Sequence, residues 1–315
     1  MSSLLLASVM SAVFAAHREQ YAPGEGTAEL WGRLGDLGLI RLTGSVESGG
    51  SGAGWAEAVE LLRAAAWHGV RIPLAEHDLL ACWLLQTAGH AVDDARRTAC
   101  LLDSDGAARG VPWAADSDRV VLLWHDGTGY RMAEVDPAAL TVSSGHNNAG
   151  EPRDDVRASL ADLTGTPLPD NVVEQFVRRA ALVRAVQVCA VLDRILALSV
   201  AHTTERTQFG RPLAKFQAVQ NLVADIAAAL TPRTRRRLVV GRQRPVAKVA
   251  PEVVGVGGHR HAGQLLAAAL AGFQRRLEQL LHPLLGAAIG PGTLVVIFLL
   301  GPLVTLVGRL FHLNV

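Results

Sequence analysis

The feature that most restricts the fold of this chain is a long helical pattern in its second half. From Val172 to Glu205 the sequence contains neither glycine nor proline. A helix of this length spans roughly 50 Å, because each residue adds about 1.5 Å. Such a helix needs neighbours along its whole length, so the pattern predicts a helical bundle.

A second helix is predicted directly behind the long one. It covers roughly residues 215–230, and the turn "QFGRPL" separates the two. The pair is expected to form an antiparallel hairpin, one half of a helical bundle. The connecting stretch "RTQFGRPLAKFQAVQ" is unusual because Gly210 and Pro212 lie in a polar and aromatic cluster between two apolar patterns.

The first hundred residues are predicted to form a small all-α unit. Apolar residues recur at helical spacing over residues 3–18, 27–40 and 76–90. A further helix is expected from about Trp55, after a Gly/Ser-rich loop. The first twenty residues are interpreted as an amphipathic first helix, with a signal peptide as the alternative, since no basic region precedes their apolar run.

A small β unit is predicted between the two helical parts. Two apolar runs in "RVVLLWHDGTGYRMAEV" flank Asp126-Gly127, which indicates a β-hairpin, and "LTVSS" adds another strand. Asp170 is then the expected N-terminal cap of the long helix. The fold class predicted from these elements is mainly α with a small β insert.

Composition limits the classes of protein to which the chain can belong. Half of its 315 residues are hydrophobic and 19% are charged, enough for a sizeable core. Its three cysteines, Cys82, Cys100 and Cys189, are widely spaced and form no C-x-x-C pair. This usage argues for a reducing, cytoplasmic environment and against a disulfide framework or a zinc site.

Charge is distributed unevenly along the chain. Residues 1–230 hold 19 Lys and Arg against 27 Asp and Glu, a net charge of −8, whereas residues 231–315 hold 11 against two, a net charge of +9. Such an asymmetry can mark an arm that binds nucleic acid or membrane. It can also mean that the two segments do not share one origin.

The connecting stretch carries a resemblance to a known family. "RTQFGRPLAKFQAVQNLVADIA" closely resembles the acyl-CoA dehydrogenase signature R-x-Q-F-G-x-P-[IL]-x-x-F-Q-x-x-Q-x-x-[LV]-A-D. The segment "LWGRLGDLGLIRL", followed by a Gly-rich loop, is similar to the family's N-terminal region. The likeness extends over residues 1 to about 230. It implies an N-terminal helical domain at 1–98, a reduced middle β domain at 99–165, a partial C-terminal helical bundle at 166–230 and an atypical tail at 231–315.

The resemblance also implies a cofactor and a set of residues that bind it. In relatives, this turn meets the FAD of a neighbouring subunit, which assigns cofactor binding to a set of five side chains: Arg206, Gln208, Phe209, Gln217 and Gln220. Arg206 would suit a pyrophosphate, the glutamines would offer amide groups, and Phe209 would pack the loop down. Gly210 and Pro212 would fix a turn that brings the backbone close to the cofactor.

The chemistry that the resemblance implies is α,β-dehydrogenation of an acyl-CoA, with electrons passed on to an electron-transfer acceptor. A carboxylate would remove the Cα proton while hydride passes to the flavin. That carboxylate is not found. Alignment by the Arg206 motif places Ala180 where one group of relatives carries it, and Glu174 and Glu205 are interpreted as solvated helix charges. His202, just before the motif, is interpreted as a packing residue or a helix-end charge.

The tail leaves three interpretations open. Its composition after about residue 230 is typical of a GC-rich coding sequence read in the wrong frame, which suggests a frameshift product. Residues 283–308 carry no charge and are long enough to span a bilayer. A buried or interfacial helix is the third interpretation. The H-x-H of His259 and His261 lacks a convincing third metal ligand, and "RTRRR" lacks the aromatic platform of a nucleic-acid site.

Two classes of function therefore remain. The first is an acyl-CoA dehydrogenase-like flavoprotein subunit that works within a homo- or hetero-oligomer. The second is a non-catalytic assembly partner of a full-length acyl-CoA dehydrogenase, or an inactive truncated or frameshifted relic. Bound flavin that bleaches on addition of substrate would separate the two.

Overall fold

The computed structural model of the protein describes residues 3–229. The tail predicted at 231–315, with its uncharged stretch 283–308, lies outside the described residues. Within the described part of the chain, no helix is both long and apolar enough to cross a membrane.

The chain begins with a group of helices, as predicted. In chain order they are α1 (Ser3–Gln20), α2 (Thr27–Asp36), α3 (Trp55–Trp67), a π-helix (Ala75–Cys82) and α4 (Trp83–Thr87). The Gly/Ser-rich loop between α2 and α3 contains a 3-10 turn at Val46–Ser48. At the start of α3 the Glu57 carboxylate accepts a hydrogen bond from the Gly54 N–H at 3.0 Å, which satisfies one free donor of the helix end.

These helices share one apolar core with the long helix that follows the β strands. The core includes Met10 and Phe14 from α1, Leu34 from α2 and Leu61 from α3, and it is closed by Val183. Val183 belongs to the long helix, so the first helices and the long helix bury their apolar faces against each other. Their relative position is therefore fixed by packing.

Seven strands form two sheets in the middle of the chain. They are β1 (Arg97–Leu101), β2 (Ala107–Pro112), β3 (Arg119–His125), β4 (Tyr130–Val135), β5 (Thr141–Ser143), β6 (Arg153–Arg157) and β7 (Thr166–Leu168). The first sheet has the order β1-β3-β4-β7 and the second the order β2-β6-β5. In the first sheet β1 and β3 are parallel, and the other neighbouring pairs are antiparallel.

Strand β3 is buried on both faces and joins two cores. Val121 and Leu123 face a core shared with the π-helix and the long helix. Leu122 and Trp124 alternate with them and face a core shared with the second sheet. Successive side chains of a strand point to opposite faces, which explains why this strand is a continuous apolar run rather than an alternating one.

The long helix, α5, runs from Asp170 to Glu205 and contains 36 residues. It confirms the predicted long helix. The prediction that Asp170 caps this helix is wrong, because Asp170 is its first helical residue, the capping position is Pro169, and no side chain forms a cap hydrogen bond there. The fixed φ of proline is compatible with the entry to a helix.

The second predicted helix is also present. α6 runs from Gln217 to Ala229, and a 3-10 turn at Leu213–Lys215 precedes it. α6 contacts α5, as expected of a helical hairpin. The described chain is therefore mainly α with a small β insert, as predicted.

Candidate functional site

The candidate site begins where α5 ends. Arg206 leaves the helix with φ −73° and ψ 119°, and its N–H still donates a hydrogen bond to the His202 carbonyl at 2.9 Å. The carbonyl of Arg206 accepts a hydrogen bond from the Leu213 N–H at 2.9 Å. This second bond closes a loop of the chain, so the segment between the two residues protrudes from the end of the bundle.

The protruding segment is a tight β-hairpin of two short strands, β8 (Thr207–Gln208) and β9 (Arg211–Pro212). Its two central residues, Phe209 and Gly210, have φ values of 51° and 76°. Positive φ at both central residues is the geometry of a type I′ turn, which matches the twist of the flanking strands. Gly210 adopts this conformation without strain, whereas a bulky residue such as Phe209 rarely does.

Phe209 is the most exposed large apolar side chain of the described chain, at 80% exposure. The expectation that it packs the loop down is therefore wrong. Its ring makes only an edge-on contact with Phe216, with 6.2 Å between the ring centres. A large apolar side chain held outward by a strained backbone indicates a surface that binds something else.

Three exposed cations lie in the same segment as this ring. Arg206, Arg211 and Lys215 are all solvent-exposed. The Arg211 guanidinium lies 4.2 Å from the centre of the Phe216 ring, a cation–π contact. Among the described residues no carboxylate pairs with Arg206 or Arg211. The hairpin thus presents guanidinium donors suited to a phosphate or pyrophosphate.

The three glutamines of the site have different surroundings. Gln208 is half-buried on β8. The Gln217 amide donates to Asn221 Oδ1 at 3.0 Å, and the Gln220 amide donates to the Ala214 carbonyl at 2.9 Å. The Gln220 bond ties α6 to the 3-10 turn before it, whereas the Gln217 bond lies within the first turns of α6. The structure therefore brings all five predicted residues into one segment, and two of them also stabilise it.

The candidate acids lie elsewhere. Glu174 is exposed and forms an ion pair with Arg178 one turn along α5, and Glu205 is exposed at the end of that helix. Both therefore lie in solvent, as expected of helix charges. Ala180, which the Arg206 motif aligns with the carboxylate of one group of relatives, packs against the core that α5 shares with the π-helix.

A buried group of charged residues, not predicted from the sequence, lies on the inner side of α5. The π-helix carries Glu76, His77 and Asp78, and all three are buried. Glu76 forms an ion pair with Arg184 of α5. The signal in the sequence was three consecutive polar residues inside the apolar run "IPLAEHDLLACWLL". Buried charges are costly unless paired, so such a triplet marks a specific environment.

Burial changes the ionisation of the other two residues of this triplet. Desolvation, with the nearby Arg97 and Arg41, lowers the pKa of His77 to about 3. Desolvation raises the pKa of Asp78 to about 6, although the Thr43 N–H donates to its carboxylate at 3.0 Å. His77 is consequently a neutral imidazole at neutral pH, and its Nδ1 accepts a hydrogen bond from the Arg97 N–H at 3.2 Å.

Comparison with known proteins agrees with this architecture. Residues 171–234 match the sequence model of the acyl-CoA dehydrogenase C-terminal domain. This match contains α5 except for its first residue, the hairpin and α6. The chain has the acyl-CoA dehydrogenase fold. The resemblance drawn from the Arg206 motif is thereby confirmed.

Solved structures with this fold cover most of the chain at low sequence identity. The Tcur3481–Tcur3483 steroid ACAD is 18% identical with a TM-score of 0.68, covering 98% of this chain and 92% of that one. A glutaryl-coenzyme A dehydrogenase in complex with glutaryl-CoA is 15% identical with a TM-score of 0.66, covering 100% and 91%. The ChsE4–ChsE5 complex from Mycobacterium tuberculosis is 18% identical with a TM-score of 0.63, covering 76% of each chain. No curated protein matches the sequence significantly.

Proposed function

We propose that this chain is a subunit of an acyl-CoA dehydrogenase-like flavoprotein that catalyses FAD-dependent α,β-dehydrogenation of an acyl-CoA. Its contribution to the cofactor site is the hairpin segment from Arg206 to Gln220. The observation that carries the proposal is the type I′ hairpin, which exposes Phe209 and whose two guanidinium groups have no carboxylate partner in the described part of the chain. Backbone strain and exposed apolar surface of this kind are concentrated at sites that bind a ligand or another subunit.

The residues present fit the proposed cofactor chemically. Arg206 can form a bidentate, charge-assisted contact with a pyrophosphate, and Phe209 offers an apolar face for an aromatic ring. Gln208 offers both an amide donor and a carbonyl acceptor. When bound, FAD supplies the acceptor for the hydride that leaves Cβ of the acyl group. Gln217 and Gln220 hold the segment in position through their bonds to Asn221 and Ala214.

The exposure of this segment and of the helix before it supports an oligomer. Leu198 and Val200, near the end of α5, are 48% and 44% exposed. They lie within the last two turns of α5, near the hairpin that carries Phe209, and exposed large apolar side chains are frequent at interfaces between subunits. The similar ChsE4–ChsE5 structure is a complex of two different proteins, which supports a hetero-oligomer as one arrangement.

A second candidate function is favoured by the surroundings of Ala180. This residue is packed against a core that includes Leu84 and Phe176, so α5 offers no carboxylate there. The chain would then be a non-catalytic assembly partner that completes the flavin site of a full-length subunit. The two functions differ in whether substrate-dependent bleaching of flavin requires the partner.

The test is the flavin content of the assembled oligomer with matched variants. Arg206→Ala should lower flavin occupancy with the fold intact, because it removes a charge-assisted contact worth about 1.5–3 kcal/mol. Arg178→Ala is the control, because Arg178 is an exposed cation of α5 that pairs only with Glu174 among the described residues. If Arg206→Ala and Arg178→Ala retain equal flavin, the proposed cofactor role of the hairpin is wrong.

A further inference from the structure

An open groove of about 520 Å³ lies along the outer side of the first two helices. One wall is the apolar face of α1 and consists of Val9, Ala12, Val13 and Ala16. These positions follow the i, i+3, i+4, i+7 spacing of a single helix face. The other wall is the end of α2, with Arg33, Asp36 and the adjoining Leu37. The groove therefore has an apolar wall and a rim that carries one charge of each sign.

Two of the exposed large apolar side chains of the described chain line this groove. Val9 is 37% exposed and Leu37 is 46% exposed. Packing within the described chain leaves both in solvent, although Val13 on the same face of α1 is buried. Exposed apolar surface with a polar rim is typical of a site that binds another macromolecule.

The two charges on the rim have no ion-pair partner among the described residues. Arg33 and Asp36 are both exposed, and neither belongs to any ion pair of the described chain. They lie three residues apart, so they share one exposed face of α2. When two copies of this face meet in antiparallel orientation, each Arg33 lies beside the Asp36 of the other copy. The face is therefore complementary in charge to itself, as a two-fold interface requires.

A glycine on the exposed side of α2 leaves room for a close approach. Gly32 lies inside the helix, where glycine is a poor helix former, and it is exposed. Beyond its chain neighbours and its own helix backbone, a Cβ atom built at this position would meet nothing that the structure describes within 4 Å. No described contact therefore requires a glycine here. A second helix packed against α2 would use the space, because the distance between packed helices depends on the side chains at the contact.

The charges of α2 argue against a lipid surface as the occupant of the groove. Binding to anionic lipid depends on an excess of Lys and Arg beside the apolar face. α2 carries two acids, Glu29 and Asp36, against one base, Arg33. A protein surface with charges of both signs fits this rim better.

We propose that a second copy of this chain docks on the groove between α1 and α2 with two-fold symmetry. Arg33 pairs with the Asp36 of the second copy, Gly32 lets the two α2 helices approach each other, and the apolar lining of each groove covers that of the other. The contact shares no residue with the hairpin segment from Arg206 to Gln220. It therefore adds to any assembly through the hairpin and does not depend on bound flavin.

The test is a charge exchange, with the mass of the purified full chain measured by sedimentation equilibrium. Arg33→Asp gives the face two acids and Asp36→Arg gives it two bases. Each variant alone should self-associate at least about tenfold more weakly than the wild type, because like charges then face each other. Mixed in equal amounts, the two variants should associate again. The control is Arg109→Asp, the same charge change at an exposed position of β2, which should leave the mass unchanged.

Gly32→Met separates a role in docking from a role in the fold. Methionine is a better helix former than glycine, so the variant should unfold at a higher denaturant concentration than the wild type. Its side chain should also obstruct the contact and weaken self-association about tenfold. Unchanged association in Gly32→Met would contradict the close approach of the two helices.

Three results would overturn the proposal. A wild-type mass that neither Arg33→Asp nor Asp36→Arg changes would show that the groove holds no second copy. A mixture of these two variants that associates as weakly as each one alone would assign the groove to a different protein. Flotation of the wild-type chain with phosphatidylserine vesicles, lost in Val9→Asp, would assign it to a lipid surface.

Discussion

The guanidinium of Arg179 lies 4.0 Å from the centre of the Trp83 ring and 5.2 Å from that of Trp55. A similar contact occurs about four turns further along α5, where Arg194 lies over Trp67. α5 is therefore held against the first helices by cations on aromatic rings as well as by apolar packing. Arginine suits this arrangement because its planar guanidinium is weakly hydrated and stacks on aromatic faces.

Replacing Arg179 should measurably weaken the attachment of α5. Arg179→Ala is expected to lower the free energy of unfolding by about 1–2 kcal/mol, because both ring contacts are lost. Arg179→Lys should lower it less, since the charge is retained without planar stacking. The check is urea-induced unfolding, with Arg178→Ala as the control. Its exposed pair with Glu174 is worth less than about 1 kcal/mol. Equal losses for Arg179→Ala and Arg178→Ala would refute the role of the stacking.

The buried His77 predicts a loss of stability in acid. Its pKa is about 3 in the folded chain and about 6.5 when unfolded, so below pH 6.5 the unfolded state binds more protons. The contribution of the neutral His77 to the free energy of unfolding is fully present above pH 6.5. It is lost as the pH falls towards 3, by at most about 1.4 kcal/mol per pH unit. His77→Gln should show a shallower decline of the unfolding free energy over this range. An unchanged slope would mean that His77 is already protonated in the fold.

Asp78 predicts the opposite dependence. Its pKa is raised to about 6 in the folded chain from an ordinary value of 3.8, so the folded state binds the proton more tightly. The wild type therefore gains stability from this group as the pH falls from 6 to about 4, whereas Asp78→Asn cannot. The difference in unfolding free energy between the wild type and Asp78→Asn should therefore shift by about 2–3 kcal/mol in favour of the wild type between pH 7 and pH 4. A difference that does not change with pH would contradict the raised pKa.

Phe209 predicts a conflict between stability and cofactor binding. Asparagine tolerates positive φ, so Phe209→Asn should relieve strain of about 1 kcal/mol and lose only an exposed ring contact with Phe216. The variant should unfold at the same denaturant concentration as the wild type or a higher one. Its flavin occupancy in the oligomer should fall. A clear loss of stability without loss of flavin would show that Phe209 serves the fold alone.

Most helices and the central β-hairpin could be predicted because each depends on a local pattern. α5 was indicated by 34 residues without glycine or proline, and the hairpin between β3 and β4 by Asp126-Gly127. β6 was missed because its sequence, "RDDVR", is polar. Its Asp154 is nonetheless buried, and the N–H groups of Ala115 and Gly145 donate to its carboxylate. Such long-range hydrogen bonds leave no periodicity in the sequence.

The candidate site could likewise be predicted only where it depends on a local pattern. The hairpin segment from Arg206 to Gln220 is contiguous in the sequence, so its motif predicted both where the segment lies and that it contains a turn. The exposure of Phe209 could not be predicted from the sequence, because an aromatic residue in a turn can be either buried or exposed to solvent. The Glu76–Arg184 pair joins residues 108 positions apart. Only the packing of α5 on the π-helix brings them together, and no local spacing encodes that packing.

The central claim is that Arg206 and its hairpin complete a flavin site in an assembled oligomer. The most direct measurement is the flavin absorbance of the purified oligomer, with wild-type chain and with Arg206→Ala, before and after addition of an acyl-CoA. We predict bound flavin that bleaches with substrate in the wild type, and clearly lower flavin occupancy in Arg206→Ala with the oligomer intact. A colourless wild-type oligomer, or flavin content unaffected by Arg206→Ala, would contradict the claim.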